Sequence, residues 1–373
     1  MNILYIEQSL NPSLGGIEKV TKILSDEFEL EGHECFFAFD KTDDARIDSK
    51  HKLKVSYNVD YSIISEQLRT FIECNKIDVV IFQDVKHKYL YRFFYQYRQS
   101  HKVKLIYCFH VSPDYWKYFK HGFNIKDIKY FIKRMIGINP YVHEIKKMYN
   151  LVDNFVLLSN SFIDDFCTTY KIADASKLSA IPNPLSFPPV KAIGEKQNIV
   201  LIVSRFCERQ KNLCSALRIW KNLEVECPGW QMKIVGYGED ENMLKQYAHK
   251  LNLKNVTFEG KQENVRRYYA KAKIFMMTSN FEGFGMTLIE AQQMGCVPLA
   301  FDNFPVLHDI IQNGENGFII ASNDEKQYVK CCQRLMNENE LFYKLSNRAI
   351  VSCQEFSIKN IKNKWNNLLN HPI

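Results

Sequence analysis

The chain has 373 residues, 46% of them hydrophobic and 24% charged, with a formal net charge of +7. That is the length of two ordinary domains and the balance of a soluble globular protein. It holds no internal repeat, no low-complexity stretch and no uncharged apolar run of the roughly 18 residues a transmembrane helix needs.

The start, MNILYIEQSL, has no basic leader and no small-residue cleavage site, so it reads as a first strand and not as a signal peptide. After it come SLNPSLGGIEKVTKIL, where Gly15 and Gly16 open a loop and Ile17, Val20, Leu24 and Phe28 mark one helical face. The glycine pair looks like a phosphate loop. It lacks Gly-x-Gly-x-x-Gly and Gly-Lys-Ser/Thr, which argues against an NAD enzyme and an ATPase. Further strand-like runs are CFFAF, VVIFQ, KLIYCFH and FVLLS in the first half, then IVLIVSR, MKIVGYG, NVTFEG, IFMMTS and VPLAF in the second. Near-continuous apolar strands alternating with helical stretches predict parallel sheets and an α/β architecture. Ten strands in one sheet would be unusual, and residues 181–198 carry four of the 11 prolines, so this stretch reads as an interdomain linker. The last stretch, EFSIKNIKNKWNNLLN, predicts a helix with Ser357 as N-cap and Ile358, Ile361, Trp365 and Leu368 on one face.

The 11 cysteines form no Cys-x-x-Cys pair, and zinc spacing is absent. They read as buried thiols of a reducing cytoplasm. Charge is uneven. Residues 86–147 hold 14 Lys/Arg against 3 Asp/Glu, a local +11, which leaves the remainder near −4. A field of that size calls for an acidic partner. Because the cations are mixed with Tyr, Phe and Trp, an anionic membrane surface is the first candidate, set against a solvated basic face over ordinary core aromatics. No nucleic-acid-binding module accompanies the charge.

The chemistry concentrates in EGFGMTLIEA. Gly283 and Gly285 permit a tight turn between a strand and a helix expected to start near Met286 or Thr287. Such a helix end at the carboxyl edge of a parallel sheet is an anion site. Glu282 precedes it and Glu290 lies about one turn inside. Two carboxylates around a phosphate site suit a ligand with phosphates in the middle and hydroxyls at both ends, such as a nucleotide sugar. On spacing alone, acids that merely favour a helix N-terminus explain the pattern as well. In VSRFCERQKN, Arg205 and Lys211 follow a strand and are placed to clamp a diphosphate. Gly236 and Gly238 of VGYGED leave room at another strand end, and His110 closes the strand KLIYCFH.

Taken in order, GGIEKV, CFH, LLSNS, IPNP, VSRFCERQKN, VGYGED and EGFGMTLIEAQQMGCVPLAF make the chain resemble the GT-B glycosyltransferases, specifically the large retaining family numbered four. The most specific element is Glu, seven residues, Glu around the glycine turn. The resemblance implies two Rossmann-like parallel-sheet domains facing a central cleft, with the C-terminal helix crossing back to the first. Their expected bounds are 1–187 plus 357–373 for the acceptor side, and 188–356 for the donor side. It also implies roles. Glu282 would hold donor-sugar hydroxyls, and the amides of Phe284, Gly285, Met286 and Thr287 would meet sugar and diphosphate. Glu290 would hold the ribose, while Arg205 and Lys211 would stabilise the departing diphosphate. Gly16 would lie against the diphosphate, His110 would approach the transferred sugar, Gly236 would line the donor site, and Lys261 and Gln262 would face the base. Two positions depart from the family's common pattern, Pro184 after Asn183 and Val111 after His110.

No Asp-x-Asp occurs, which fits a metal-independent enzyme without a cofactor, and no carboxylate nucleophile stands out. The implied activity is retaining transfer of a hexose-type sugar from a nucleotide-diphosphate donor, UDP by family frequency and GDP as the other option. The acceptor would be a hydroxyl of a glycan or lipid-linked molecule in bacterial-type surface polysaccharide or glycolipid synthesis. The expected location is the cytoplasm, at the inner membrane face where the basic segment touches lipid. A nucleotide-sugar-binding module without catalysis, and a phosphorylase or sugar-phosphate synthase of the same fold, are the competing readings.

Overall fold

The computed structural model describes residues 1–12, 15–44, 46–56, 59–85, 87–118, 139–189 and 194–371. The chain divides into two compact units, Met1–Pro184 with Ile358–Ile373, and Leu185–Ser357.

The first unit is built on a seven-stranded sheet of β1 (Asn2–Glu7), β2 (Glu34–Phe39), β3 (Lys52–Lys54), β4 (Val79–Gln83), β5 (Lys104–Phe109), β6 (Asn154–Leu157) and β7 (Leu178–Ala180). The order is β3-β2-β1-β4-β5-β6-β7, and every pairing is parallel. The central strands are buried on both faces, as their unbroken apolar runs require. Strand order reverses between β1 and β4, so the carboxyl ends of these two strands bound the crevice where open α/β sheets take ligands. The helix Gly16–Leu30 buries Val20, Leu24 and Phe28 against the sheet side and leaves Ile17 half-buried. The last helix, Ile358–Asn370, belongs to this unit and buries Ile361, Trp365, Leu368 and Leu369. It is fastened by polar contacts as well. Buried Lys104 donates through Nζ to the carbonyls of Leu368 (2.5 Å), His371 (2.7 Å) and Leu369 (3.4 Å). Lys362 pairs with Glu27 and Glu31 at 3.2 and 3.1 Å. A cation at the last carbonyls of a helix satisfies groups that have no partner inside it.

The second unit has a six-stranded sheet of β8 (Gln197–Val203), β9 (Gln231–Val235), β10 (Val256–Gly260), β11 (Ala272–Met277), β12 (Val297–Phe301) and β13 (Phe318–Ile320). The order is β10-β9-β8-β11-β12-β13, again all parallel, with the reversal between β8 and β11. Its core gathers Ile202, Trp220, Met276, Leu299 and Tyr328. The Tyr328 hydroxyl satisfies itself on the Leu299 carbonyl at 2.6 Å.

Ten strands are expected from sequence and thirteen are present among the described residues. The additional three, β3, β7 and β13, are three residues each and lie at sheet edges, too short for an apolar run to show. The cysteines are all free thiols, but not all are buried: Cys74 is exposed, and Cys167, Cys207, Cys214 and Cys331 are half-buried on helix faces or at loop corners. In the basic segment, the helix Lys88–Tyr97 turns Phe93, Phe94 and Tyr97 into the core, whereas Tyr95 is 55% exposed. Residue 86 and residues 119–138, with Lys120, Lys133 and Arg134, lie outside the described residues.

Candidate active site

In the second unit, the loops after β8 and β11 meet at the strand-order reversal. The loop after β11 is stitched to the short helix Glu208–Lys211. Thr278 Oγ1 donates to the carbonyls of Lys211 and Asn212, both at 3.0 Å, and the Asn280 amide donates to Gln210 O at 2.8 Å. These bonds bring Lys211 to Glu282, Nζ to Oε1 at 2.6 Å. The same oxygen accepts from Ser279 Oγ at 2.6 Å, and Oε2 accepts from Gln210 Nε2 at 3.4 Å. Arg205, exposed, reaches the network through Gln210 Oε1 at 3.3 Å. Glu282 is only 7% exposed, and three donors face its carboxylate, which is the condition for burying such a group.

Gly285 stands at the N-cap of the helix Met286–Gln293 with φ +93° and ψ +45°, a left-handed backbone that glycine adopts without strain. No side chain caps this helix, so its first amides are available to an anion at the positive end of the dipole. Phe284 is buried edge-on against Phe356, ring centres 5.5 Å apart, and carries no polar contact of its own side chain. One turn inside the helix, Glu290 is 4% exposed and both its oxygens accept hydrogen bonds, Oε2 from Tyr269 at 3.0 Å and Oε1 from Ser186.

The other two strand ends of this edge are simpler. Gly236 has φ +142°, and a Cβ there would lie 1.8 Å from the Ser204 carbonyl oxygen; at Gly238 it would lie 2.2 Å from that of Phe206. These glycines let the β9 loop close on the β8 loop that carries Arg205, so the space they leave is filled by backbone. After β10, Lys261 lies 4.9 Å over the exposed Tyr237 ring. Gln262 donates to Glu259 O and accepts from Arg267, both at 2.6 Å.

The first unit presents its own carboxyl edge. Gly16 is the first helical residue after Gly15, and no side chain of the described residues caps that helix either. His110 follows β5, with Nε2 at 2.6 Å from Gln83 Oε1. Its Nδ1 is buried without a partner among the described residues, as is Nε2 of Gln83. Burial pushes the imidazole down to about 4, so it is neutral at physiological pH. Beside them on the edge, Glu7 at the end of β1 is 3% exposed with Oε2 unpartnered, and desolvation, then the Glu18 charge, raise it well above the usual carboxylate range.

The second unit thus gathers Arg205, Lys211, Glu282, Gly285, Met286, Thr287 and Glu290 on one edge. Gly16 and His110 stand on the other sheet. Sequence reading passes over Ser186, Gln210, Tyr269, Ser279, Gln83 and Glu7. Ser279 and Gln210 are polar residues directly beside motif positions, which is a usable signal; Tyr269 and Ser186 are distant in sequence and carry none. Among the described residues, one group offers three metal-ligand atoms within 4.8 Å of one another: Cys207, Glu239 and Asp240. Asp240 Oδ2 already accepts the Glu208 amide at 2.7 Å, so its carboxylate serves the local turn.

Residues 186–351 match the family described as Glycosyl transferases group 1. A Haemophilus influenzae protein described as an uncharacterized glycosyltransferase is 23% identical over 366 residues, 96% of this chain and 97% of its own. The poly(glycerol-phosphate) alpha-glucosyltransferase of Bacillus subtilis is 26% identical over 240 residues, and the match spans about a third of its length: 62% of this chain and 35% of that protein. Among solved structures, Anabaena Alr3699/HepE in complex with UDP-glucose superposes with a TM-score of 0.76 at 15% identity, covering 99% of both chains. The fold is that of the GT-B proteins, two Rossmann-like parallel-sheet domains. Residues 186–351 form a Glycosyl transferases group 1 domain, and the protein is a glycosyltransferase.

Proposed function

We propose that the protein is a retaining enzyme of family four that moves a hexose-type sugar from a nucleotide-diphosphate donor, UDP first and GDP second, to a hydroxyl of a glycan or lipid-linked acceptor. The observation that carries the donor reading is one edge on which Glu282, faced by Lys211 and Ser279, stands directly before an uncapped helix N-terminus. There the helix amides and Arg205 receive the diphosphate, Lys211 turns from Glu282 toward it, and Glu282 takes the hydroxyls of the sugar. Stabilising a departing diphosphate by fixed amides and cations needs no metal, and none is included in this reading. Same-face substitution follows if the acceptor hydroxyl enters beside the leaving diphosphate and passes its proton to it.

The acceptor is proposed to belong to surface polysaccharide or glycolipid synthesis, which agrees with the anionic polymer named for the Bacillus subtilis relative. The basic stretch 86–147 fits such an acceptor, or the anionic membrane that carries it, from the cytoplasmic side. No helix among the described residues is long and apolar enough to cross a membrane. The deciding experiment is a thermal-shift and hydrolysis screen over UDP- and GDP-sugars. Stabilisation by one sugar series with slow acceptor-free hydrolysis supports the enzyme, and stabilisation by none counts against it. Stabilisation without hydrolysis or transfer favours a binding module, and phosphate as the preferred co-substrate favours a phosphorylase. Flotation on anionic vesicles tests the surface; equal behaviour of the wild type and a Lys117, Lys120, Lys133 and Arg134 charge-removal variant removes the membrane from the reading.

A further inference from the structure

The carboxylate of Glu290, which the resemblance to family four gives to the ribose, carries two hydrogen bonds from within the protein. Glu290 Oε2 accepts from the Tyr269 hydroxyl at 3.0 Å and Oε1 accepts from Ser186 Oγ, while the residue as a whole is 4% exposed. The two partners differ in kind. Tyr269 is fully buried, and its ring packs on Phe275 of β11 at 5.8 Å. Its aromatic body has nowhere to go, and its hydroxyl finds its acceptor in this carboxylate. Ser186 is half-buried and sits on the stretch that begins the second unit. That stretch is held by Leu185 N to Phe356 O at 2.8 Å, by Gln293 Nε2 to the carbonyls of Phe187 and Pro188 at 2.9 and 3.4 Å, and by the Phe187 ring on Tyr269 at 5.8 Å. With Glu290 4% exposed, the serine is the donor that an incoming hydroxyl on Oε1 would meet first.

We propose that Ser186 is an internal stand-in for a ribose hydroxyl, displaced from Glu290 when nucleotide binds, and that Tyr269 is the positioning residue that keeps the carboxylate aimed after the exchange. The proposal rests on the ribose reading of Glu290 and deepens it. A hydroxyl on a carboxylate is exchanged for a hydroxyl on the same carboxylate, so the chemistry of the bond is conserved and the net cost is small. What changes is the chain: Ser186 loses its side-chain bond to the helix Met286–Gln293 each time the site fills, while Gln293 of that helix still holds the carbonyls of Phe187 and Pro188. Nucleotide occupancy is thereby read out at the beginning of the donor unit.

The test measures dissociation constants of UDP, GDP and their 2′,3′-dideoxy analogues for the full chain and three variants. For the nucleotide that binds, Ser186→Ala removes the competitor, and affinity rises about 3- to 10-fold, with no gain for the dideoxy analogue. Tyr269→Phe leaves the carboxylate unaimed, and the preference for the ribo- over the dideoxynucleotide shrinks by about 10-fold. Glu290→Ala is the control for the underlying reading. If it leaves that preference intact, the ribose reading fails, and the proposal with it. If Glu290→Ala erases the preference but Ser186→Ala weakens binding or leaves it unchanged, the stand-in role alone is overturned. A second readout needs no variant: saturating nucleotide should speed hydrogen exchange at the amides of Ser186 and Phe187 in the wild type. Slower or unchanged exchange there contradicts the displacement. Binding of neither UDP nor GDP overturns both readings.

Discussion

The two carboxyl edges are made by the same strand–loop–helix construction, yet their polar side chains are finished differently. On the second sheet, every carboxylate oxygen of Glu282 and Glu290 meets a donor from the same unit. On the first sheet, three buried polar atoms have no partner among the described residues, Nε2 of Gln83, Nδ1 of His110 and Oε2 of Glu7, whereas on the second it is a neutral hydroxyl, Ser204 Oγ after β8, that is left so. An orphaned buried group costs about 1–3 kcal/mol, so three on one edge mark a place where the fold alone does not supply the partner. The carboxylates of the second edge are satisfied within the protein. Breaking the wired edge should therefore cost both structure and chemistry, whereas altering the open edge should act on chemistry with little loss of fold.

The largest effect is expected from Glu282→Gln. The amide is nearly isosteric but loses the charge that pairs with Lys211 at 2.6 Å. Turnover should fall on the order of 100- to 1,000-fold, the scale of removing one preorganised charged contact, while nucleotide affinity changes by less than about threefold. Arg205→Ala, by contrast, should weaken both. Equal losses of kcat and affinity in Glu282→Gln would move this residue from the sugar to the phosphates. Next in size is a pair of glycine substitutions on the same edge. Gly236→Ala drives a Cβ into the Ser204 carbonyl, whereas Gly260→Ala, with φ +68°, meets nothing within 4 Å. Urea unfolding should register more than about 2 kcal/mol for the first and about 1 kcal/mol for the second, since only the left-handed backbone penalty is common to both.

Much of this edge is legible in the sequence because its chemistry sits in contiguous residues. EGFGMTLIEA encodes a turn and a helix start in ten positions, and the helix begins at Met286, one of the two positions expected, Met286 or Thr287. The parallel sheets are legible for the same reason, since strands buried on both faces must be apolar throughout. What is not legible comes from long-range closure. Tyr269 and Ser186 reach Glu290 from 21 and 104 residues away, and nothing local to either predicts that. Gly236 reads as open space in sequence because a missing side chain looks the same whether a ligand or a carbonyl fills the gap. The aromatics of the Lys88–Tyr97 helix carry the same ambiguity. Three of them are core, and cation-rich composition could not separate them from a lipid-facing set.

On the open edge, His110 gives a pH signature. Its folded-state value is held near 4 by burial, below the 6.5 of an unfolded histidine. A depressed histidine favours the folded state while neutral. Its contribution is fully present above about pH 6.5, declines as pH falls, and is exhausted below about pH 4, where both states are protonated. The shift corresponds to about 3 kcal/mol across that window at most, from 1.36 kcal/mol per unit. The stability difference between wild type and His110→Gln, followed by urea titration from pH 7 to pH 4.5, should therefore narrow or change sign as pH falls. A constant difference would mean that the ring is solvated and free to charge.

The smallest expected effect is the most discriminating for the wired edge. Ser279→Ala removes one of the donors on Glu282 and leaves Lys211 and Gln210 in place. A single neutral hydrogen bond is worth about 1 kcal/mol net, and the void left by one hydroxyl is small. Stability should fall by about that amount and turnover by less than about tenfold. If the serine only satisfies a buried carboxylate, Km for the donor stays put and the change appears in urea. If instead it restrains Glu282 after Lys211 has turned to the diphosphate, kcat falls with stability almost unchanged, because that restraint is needed only when the cation has left. The ratio of the two losses thus tells whether the wiring of this edge serves the resting fold or the filled site, which an edge with orphaned groups offers no means of asking.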